Sequence, residues 1–380
     1  MDFELSEEHK MLREAVRDFA EKEIAPLVDD AEEKEKYPVQ LFPKLGGLGY
    51  LCLSYPSEYG AAGAGLLGQC IAIEELARVS VGITSGIMVQ SGLATEAILH
   101  HGTEEQKQKY IVHAIKGQKI AVFGLTEPNA GSDAAAMETT AVKQNGKYII
   151  NGSKIFMTNG TIGDFVVTGA YTDKSLGTKG GISLIIVDTN TPGLTRNKLK
   201  KFCVRSADTA ELFFENCVVP AENLIGEEGK GFQYLMESLD SGRVAHSSRS
   251  IGLAQAAYEA TLEYAQQRVQ FGQPISKFQA ISFKLARMAM DIEAARYLMY
   301  RAAWLYDQGN RRFREAAMTK LFASEVAIRT TTEAMQVVSG YALMADSPLQ
   351  RYFRDARLST ITEGTSEIQH IVIARGIGLR

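Results

Sequence analysis

Apolar residues recur at three- and four-residue spacings through the first third of the chain. Ser6 and the acidic pair Glu7-Glu8 precede Met11, Leu12, Val16 and Phe19, the start signal and stripe of an amphipathic helix. Residues 68–77 (GQCIAIEELA) and 81–99 are apolar enough to predict buried helices, with breaks at Gly46-Gly47, residues 59–63 (YGAAG) and Gly102. Near residue 121 the period changes. The turn pairs Asn145-Gly146 and Asn151-Gly152 bracket the run KYII and predict a hairpin. Residues 165–170 (FVVTGA) and 182–187 (ISLIIV) are dense in β-branched side chains, and 211–220 (ELFFENCVVP) alternates less cleanly. After Gly231 the helical spacing returns. Phe278, Ile281, Leu285, Met288, Ile292, Ala295, Met299, Ala302 and Leu305 form one unbroken stripe, the seam of a helix bundle. The pattern predicts an α+β protein in three parts: an N-terminal helical domain over 1–120, a central β-sheet domain over 121–232 and a C-terminal helical bundle over 233–380.

Composition narrows the class. At 380 residues, 45% hydrophobic and 23% charged, the chain has the make-up of a soluble globular protein with a sizeable core. A net charge of −4 without a basic run gives no basis for a nucleic-acid partner. Cys52, Cys70, Cys203 and Cys217 lie far apart and form no CxxC pair, so neither a disulfide scaffold nor a zinc site is expected. His100 and His101 are adjacent and a helix turns them to different faces, so no metal site is expected there either. The opening MDFELSEEHKMLREAV lacks a basic leader and an apolar core, and no stretch approaches the ~20 apolar residues of a membrane span. The expectation is a cytoplasmic protein without membrane insertion.

Four strings carry candidate chemistry. Residues 121–133 (AVFGLTEPNAGSD) run from a strand-like start into a loop of small residues whose N–H groups and hydroxyls suit a polar ligand. A surface turn explains its glycine but not the whole string. In residues 151–160 (NGSKIFMTNG), Phe156 and Thr158 stand two apart and share one strand face, where ring and hydroxyl can meet a flat heterocycle. A core phenylalanine beside a sheet threonine fits the same spacing. Residues 268–279 (RVQFGQPISKFQ) begin with Arg268, whose fork suits phosphate, and end with Gln279 at the mouth of the long bundle helix. Asp240 and Arg243 share a helical face, as a ligand grip or as an ordinary ion pair. In residues 358–369 (LSTITEGTSEIQ), Ser366 and Gln369 stand at capping-box spacing. That starts the last helix at Ser366 and leaves Glu363 in the approaching loop, free of capping duty.

In this order and at these separations, GLTEPNAGSD, NGSKIFMTNG, RVQFGQPISKFQ and TEGTSEIQ resemble the acyl-CoA dehydrogenase family. The likeness begins with DFELSEEHKMLREAVRDFAEKEIAP and covers essentially the whole chain. The resemblance implies N-terminal helices, a barrel-like β domain and a four-helix bundle, assembled as a homotetramer with one FAD per subunit. It implies that Phe123, Leu125 and Thr126 lie against the flavin, with Ser132 near its phosphate or the CoA side. Phe156 would pack on the ring, where many relatives carry tryptophan, and Thr158 would bond the flavin edge. Arg268, Phe271, Gln279, Gln336 and Gly340 would reach a neighbouring subunit's FAD, while Thr365 and Glu367 contact FAD as well. Asp240, Arg243 and Arg375 would grip the CoA arm, and Thr362 and Gly364 would adjoin the substrate. Glu363 matches the catalytic base; the alternative base position in the family is here Gly242, which cannot serve.

The implied reaction is removal of an α-proton from an acyl-CoA thioester by Glu363, with the β-hydrogen leaving as hydride to flavin N5. The product is a trans-2-enoyl-CoA, and the electrons pass to an electron-transferring flavoprotein. A weakly acidic α-proton calls for a base of raised pKa, which burial supplies. The rivals are an acyl-CoA oxidase, an enoyl-CoA reductase working in reverse and a non-catalytic assembly protein with a degenerate flavin site; intact Glu363 opposes the last. Thr362 stands where many relatives carry tyrosine, which opens space beside the base and points to a short, branched or alicyclic acyl group. Ser339, Ala342 and Cys203 replace common glycines. Residues 82–92 carry no cation, and Thr84 falls where glutaryl-specific relatives have arginine, which speaks against a dicarboxylic substrate.

Overall fold

A computed structural model describes residues 4–310 and 312–379. The Ser6 hydroxyl accepts from the His9 N–H and caps α1 (Glu7–Phe19), which buries Val16 and Phe19. A π-turn carries α1 into α2 (Ala25–Glu33). There follow α3 (Leu41–Gly47), α4 (Gly65–Val79), α5 (Val81–Gln90), α6 (Glu96–His101) and the short α7 (Glu104–Gln106) and α8 (Val112–Ile115). The apolar stretch 81–99 is therefore interrupted. At the break, Thr95 Oγ1 donates to the Gln90 carbonyl at 2.7 Å and Ser91 Oγ accepts from the Cys52 N–H at 3.0 Å, so side chains compete with helix bonding.

The strands β1 (Ala121–Gly124), β2 (Thr140–Gln144), β3 (Lys147–Thr158), β4 (Phe165–Tyr171), β5 (Ile182–Asp188), β6 (Leu194–Lys198) and β7 (Thr209–Pro220) form one sheet. Its order is β1-β4-β2-β3-β7-β6, with β5 antiparallel to β4. Along β4 and β5 the side chains alternate between two cores. Val166, Ala170, Ile185 and Val187 join Tyr148, Ile150 and Phe214 inside the sheet domain. Phe165, Val167, Leu184 and Ile186 meet the N-terminal helices around Phe42 and Tyr110. Burial on both faces is why these strands read as continuous apolar runs. Asn145 and Gly146, at φ 51° and 73°, make the β2–β3 turn. Asn151-Gly152 is not a second turn. It lies inside β3 at a bulge opposite β7, where a Cβ on Gly152 would come within 2.5 Å of Thr139 Oγ1.

The long α9 (Gly231–Gln267) leads through the hairpin β8 (Val269–Gln270) and β9 (Gln273–Pro274) to α10 (Gln279–Asp307), α11 (Phe313–Val338), α12 (Pro348–Ser359) and α13 (Ser366–Gly376). The predicted stripe lies along α10: Leu285, Met288, Ile292, Ala295, Met299, Ala302 and Leu305 are buried, with Phe278 and Ile281 half-buried at its open end. α9 to α12 pack as the bundle, and α13 lies against α11. α4 adds Leu66 and Cys70 to the bundle core beside Val244, Ile251 and Ala254. One N-terminal helix thus shares a core with the C-terminal part. Among the described residues no helix is long and apolar enough to cross a membrane.

The α4–α9 seam is close enough to test. A Cβ at Gly252 would lie 2.2 Å from the Glu74 carbonyl oxygen and 3.0 Å from Ala77 Cβ. Gly252→Val should lower stability by about 1–3 kcal/mol or more through overpacking, read as a drop in the denaturation midpoint at unchanged m-value.

Candidate active site

Residues 360–365 link α12 to α13. The helix cap is Thr365, whose hydroxyl accepts from the Ile368 N–H, so the capping box expected at Ser366 is not formed. Gln369 is diverted instead. Its buried Nε2 donates to the carbonyls of Glu363 at 3.0 Å and Gly364 at 2.9 Å, folding the loop back over the helix start. Both loop residues take left-handed backbone, with φ 56° at Glu363 and 90° at Gly364. For a glutamate this conformation is strained, and surrounding bonds must hold it. Lys320 Nζ donates to the Gly364 carbonyl at 2.8 Å and adds to them.

Held this way, Glu363 keeps Oε2 enclosed with no hydrogen-bond partner. A Cβ on Gly242 would come within 3.0 Å of that oxygen, so glycine there leaves the carboxylate its room. Burial pushes the carboxyl up to about 7, against the pull of Arg249, Lys320 and Arg243.

α9 supplies the surroundings. Arg243 bonds Asp240 at 3.1 Å, and its guanidinium is buried with Nε unpartnered, so this is no ordinary surface pair. Thr362 Oγ1 lies 3.0 Å from His246 Nε2 and accepts from Arg249 Nη2 at 3.3 Å, so its hydroxyl is engaged by α9. Arg249 Nη1 also donates to Ser85 Oγ on α5 at 2.9 Å. His246 and Arg249 were not singled out in the sequence. The available signal was the polar run HSSRS at 246–250 in a helix that buries every residue from 241 to 250. Arg375, on α13, is exposed.

A second group forms where the 121–133 loop meets β3. The Ile155 N–H donates to the Thr126 carbonyl at 2.9 Å. Beneath it lies an ion pair missing from the sequence reading although both partners sit in the quoted strings: Glu127 and Lys154, 2.7 Å apart and buried. Glu127 also accepts from the Thr139 N–H at 3.1 Å, which ties down the far end of the loop. Burial raises the Glu127 carboxyl, but the Lys154 ammonium and the loop donors outweigh it and hold the group below its ordinary range. Above this anchor β3 bulges between Lys154 and Met157, so the simple two-residue alternation expected for Phe156 and Thr158 is broken. Phe156 stands 64% exposed at φ 64°, while Thr158 is half-buried. Phe123, Leu125 and Thr126 are half-buried nearby in sequence and pairing; Gly131 and Ser132 are exposed. Thr365 and Glu367 line a cavity of about 420 Å³ with Arg329 and Arg357. The exposed Phe156 ring and the open space at Gly131, and on the bundle side a cavity where Arg329, Arg357, Thr360 and Thr365 stand beside Glu325 and Glu367, offer an aromatic face and polar donors of the kinds that fit FAD.

The remaining predicted residues gather elsewhere. Arg268 lies over the Tyr341 ring at 5.7 Å, next to Gly340 in sequence. Phe271 is 94% exposed at φ 51°, and Gln279, Gln336 and Gly340 are exposed. Arg243 and Arg268 are 25 residues apart along α9 and its end, roughly 37 Å at ~1.5 Å per residue. A single copy of the chain does not bring this set to Glu363. Ser339 takes φ 63°, where glycine would be unstrained, while the Ala342 methyl is buried in the α9–α11–α12 core and does not crowd the exposed side.

Comparison with known proteins agrees along the whole chain. Residues 6–118, 122–217 and 229–378 match family models described as the acyl-CoA dehydrogenase N-terminal, middle and C-terminal domains. The chain is 44% identical to "Acyl-CoA dehydrogenase, short-chain specific" of Clostridium acetobutylicum, over 98% of this chain and 99% of the relative. It superposes on butyryl-CoA dehydrogenase from Megasphaera elsdenii with a TM-score of 0.97 and 42% identity, over 99% and 100% of the two chains. It also superposes, with a TM-score of 0.97 and 44% identity over 100% of both chains, on a structure described as "Electron transferring flavoprotein of Acidaminococcus fermentans: Towards a mechanism of flavin-based electron bifurcation". Fold and matches define an FAD-dependent oxidoreductase that acts on CH–CH bonds. The chain belongs to the acyl-CoA dehydrogenase family.

The buried anchor makes its own prediction. Glu127→Gln and Lys154→Met should each cost about 3–5 kcal/mol, since each leaves one buried partner uncompensated. The double variant should cost less than the sum of the singles in a denaturation cycle, and the single variants should retain less FAD on gel filtration.

Proposed function

We propose that the protein converts a short acyl-CoA thioester to its trans-2-enoyl-CoA, with Glu363 as the base. The observation that carries this reading is the enclosed, unpartnered Oε2 of Glu363, in a carboxyl raised to about 7. Such a group is ionised in part at neutral pH and has one oxygen free to take a proton. FAD, when bound, supplies the hydride acceptor. Phe123, Leu125, Thr126, Ser132, Phe156 and Thr158 hold the flavin, and Thr365 and Glu367 hold it from the bundle side. Asp240, Arg243, Ser132 and Arg375 hold the CoA arm, and Thr362 and Gly364 border the thioester.

The acyl group is short, and Gly242 together with the small Thr362 allows a branch or a ring. A dicarboxylic acyl group is disfavoured, because α5 carries no cation and presents Thr84 in its place. Electrons leave to an electron-transferring flavoprotein, a reading supported by the likeness to the Acidaminococcus structure. The active form is a homotetramer in the cytoplasm. Its support is the separation along α9 between Arg268 and Arg243, one of the cations that act on Glu363, and an exposed stripe on α10. Phe283, Met290, Tyr297 and Trp304 recur there every seven residues on the outer face, the pattern of a helix covered by another copy.

Anaerobic titration of the holoenzyme with butyryl-, isobutyryl-, cyclohexanecarbonyl- and glutaryl-CoA should bleach the flavin most completely with the preferred acyl group. Glu363→Gln should still bind the thioester and lose bleaching by at least a thousandfold in rate; retained turnover would overturn the assignment. Because the ionised carboxyl is the active form, kcat/KM should rise with pH through about 7 and level above it, and a flat profile would contradict it. Paired replacement Met290→Asp and Trp304→Asp should lower the sedimentation mass to smaller oligomers and release FAD.

A further inference from the structure

Two buried cations stand beside Glu363, each bonded only to neutral oxygens among the described residues. Arg249, 5% exposed, donates to Ser85 Oγ and Thr362 Oγ1 and leaves Nε without a partner. Lys320, fully buried on α11, donates to the Gly364 carbonyl. The bonded loop residues, Thr362 and Gly364, are those immediately before and after Glu363. For both cations Glu363 is the first of the acidic groups that act on them. A buried charge without a partner is costly, so two cations facing one acid call for a reason.

We propose that Arg249 and Lys320 are the positioning residues of Glu363: from two helices they clamp its chain neighbours and supply the charge that lets it ionise inside a closed site. The setting is otherwise simple. α9 also presents Arg243, and His246, which burial beside Arg249 and Lys320 holds well below its ordinary value and so neutral. Asp355 on α12 and Cys203 lie near Arg249, Glu367 on α13 is exposed, and α5 carries no charged residue. When substrate and flavin cover the loop, water leaves and the carboxyl would rise further. Fixed cations oppose that rise without needing solvent. Lys320 itself is pushed down to about 8 by burial, with Glu363 the leading charge that opposes the shift.

The inference rests on Glu363 as the base, and the test separates the two. Holoenzyme variants Arg249→Gln, Arg249→Lys and Lys320→Met are compared with wild type by the pH at which kcat/KM levels. The neutral variants should move it up by about one pH unit, and Arg249→Lys should restore most of it; a merely structural role would lower activity evenly across pH. The second readout is the stability gained on adding Glu363→Gln to each background. A carboxyl raised in the fold loses stability as pH climbs from its unfolded value to its folded one. The gain should therefore grow with pH and flatten above about 7 in wild type, and flatten at higher pH in the neutral variants. If neither pH moves in folded variants, the proposal is overturned. If the stability plateau moves while the rate profile stays, the countercharge role stands and Glu363 is not the base.

Discussion

Glu363 Oε2 accepts no hydrogen bond although protein encloses it. A lone buried oxygen of this kind gives up its bonds to water and gets none back, a loss of about 1–3 kcal/mol, more if charged. Its backbone adds strain at φ 56°. The loop stays in place because Gln369, Lys320 and Thr362 bond the main chain and side chains around it, while the carboxylate itself is left alone. In the proposed reaction, the reactivity of Glu363 follows from that division. Had the same donors reached Oε2, the acid would be stable, ionised and inert.

The support extends outward in layers. α5 meets the β domain through Asn159, whose amide donates to the carbonyls of Gly86 at 3.0 Å and Ala121 at 3.2 Å. α4 packs into the core of the bundle. The loop that follows β1 is fixed from below by Glu127 and Lys154, so Phe156 can remain exposed on an unfavourable backbone. The first two contacts join one part of the chain to another, and the third fixes a loop within the β domain. A site shared among the three parts therefore depends on their packing as one body.

Much of this fold was legible because its signals are local. The stripe from Phe278 to Leu305 needs only helical periodicity, and Asn145-Gly146 needs only the left-handed freedom of those two residues. The misreadings have equally specific causes. Ser366 and Gln369 have capping-box spacing, but Thr365 caps one residue earlier and frees Gln369 for the Glu363 loop. Asn151-Gly152 is a turn pair by composition, yet pairing with β7 keeps it in a strand and spends the glycine on a bulge. Phe156 sits at the second bulge of the same strand, at φ 64°, where strict two-residue alternation does not hold.

The chain by itself determined the succession of helical, β and helical parts, the four strings and the lone acid ahead of the last helix, since these rest on neighbours in sequence. Only the tertiary structure decided the environment of that acid. Arg249, His246, Lys320 and Gly242 lie 43 to 121 residues from Glu363, and desolvation and countercharge depend on distance in space. Glu127 and Lys154 make the same point, for two charged residues in plain view in sequence become a buried anchor only when a loop folds back on a strand.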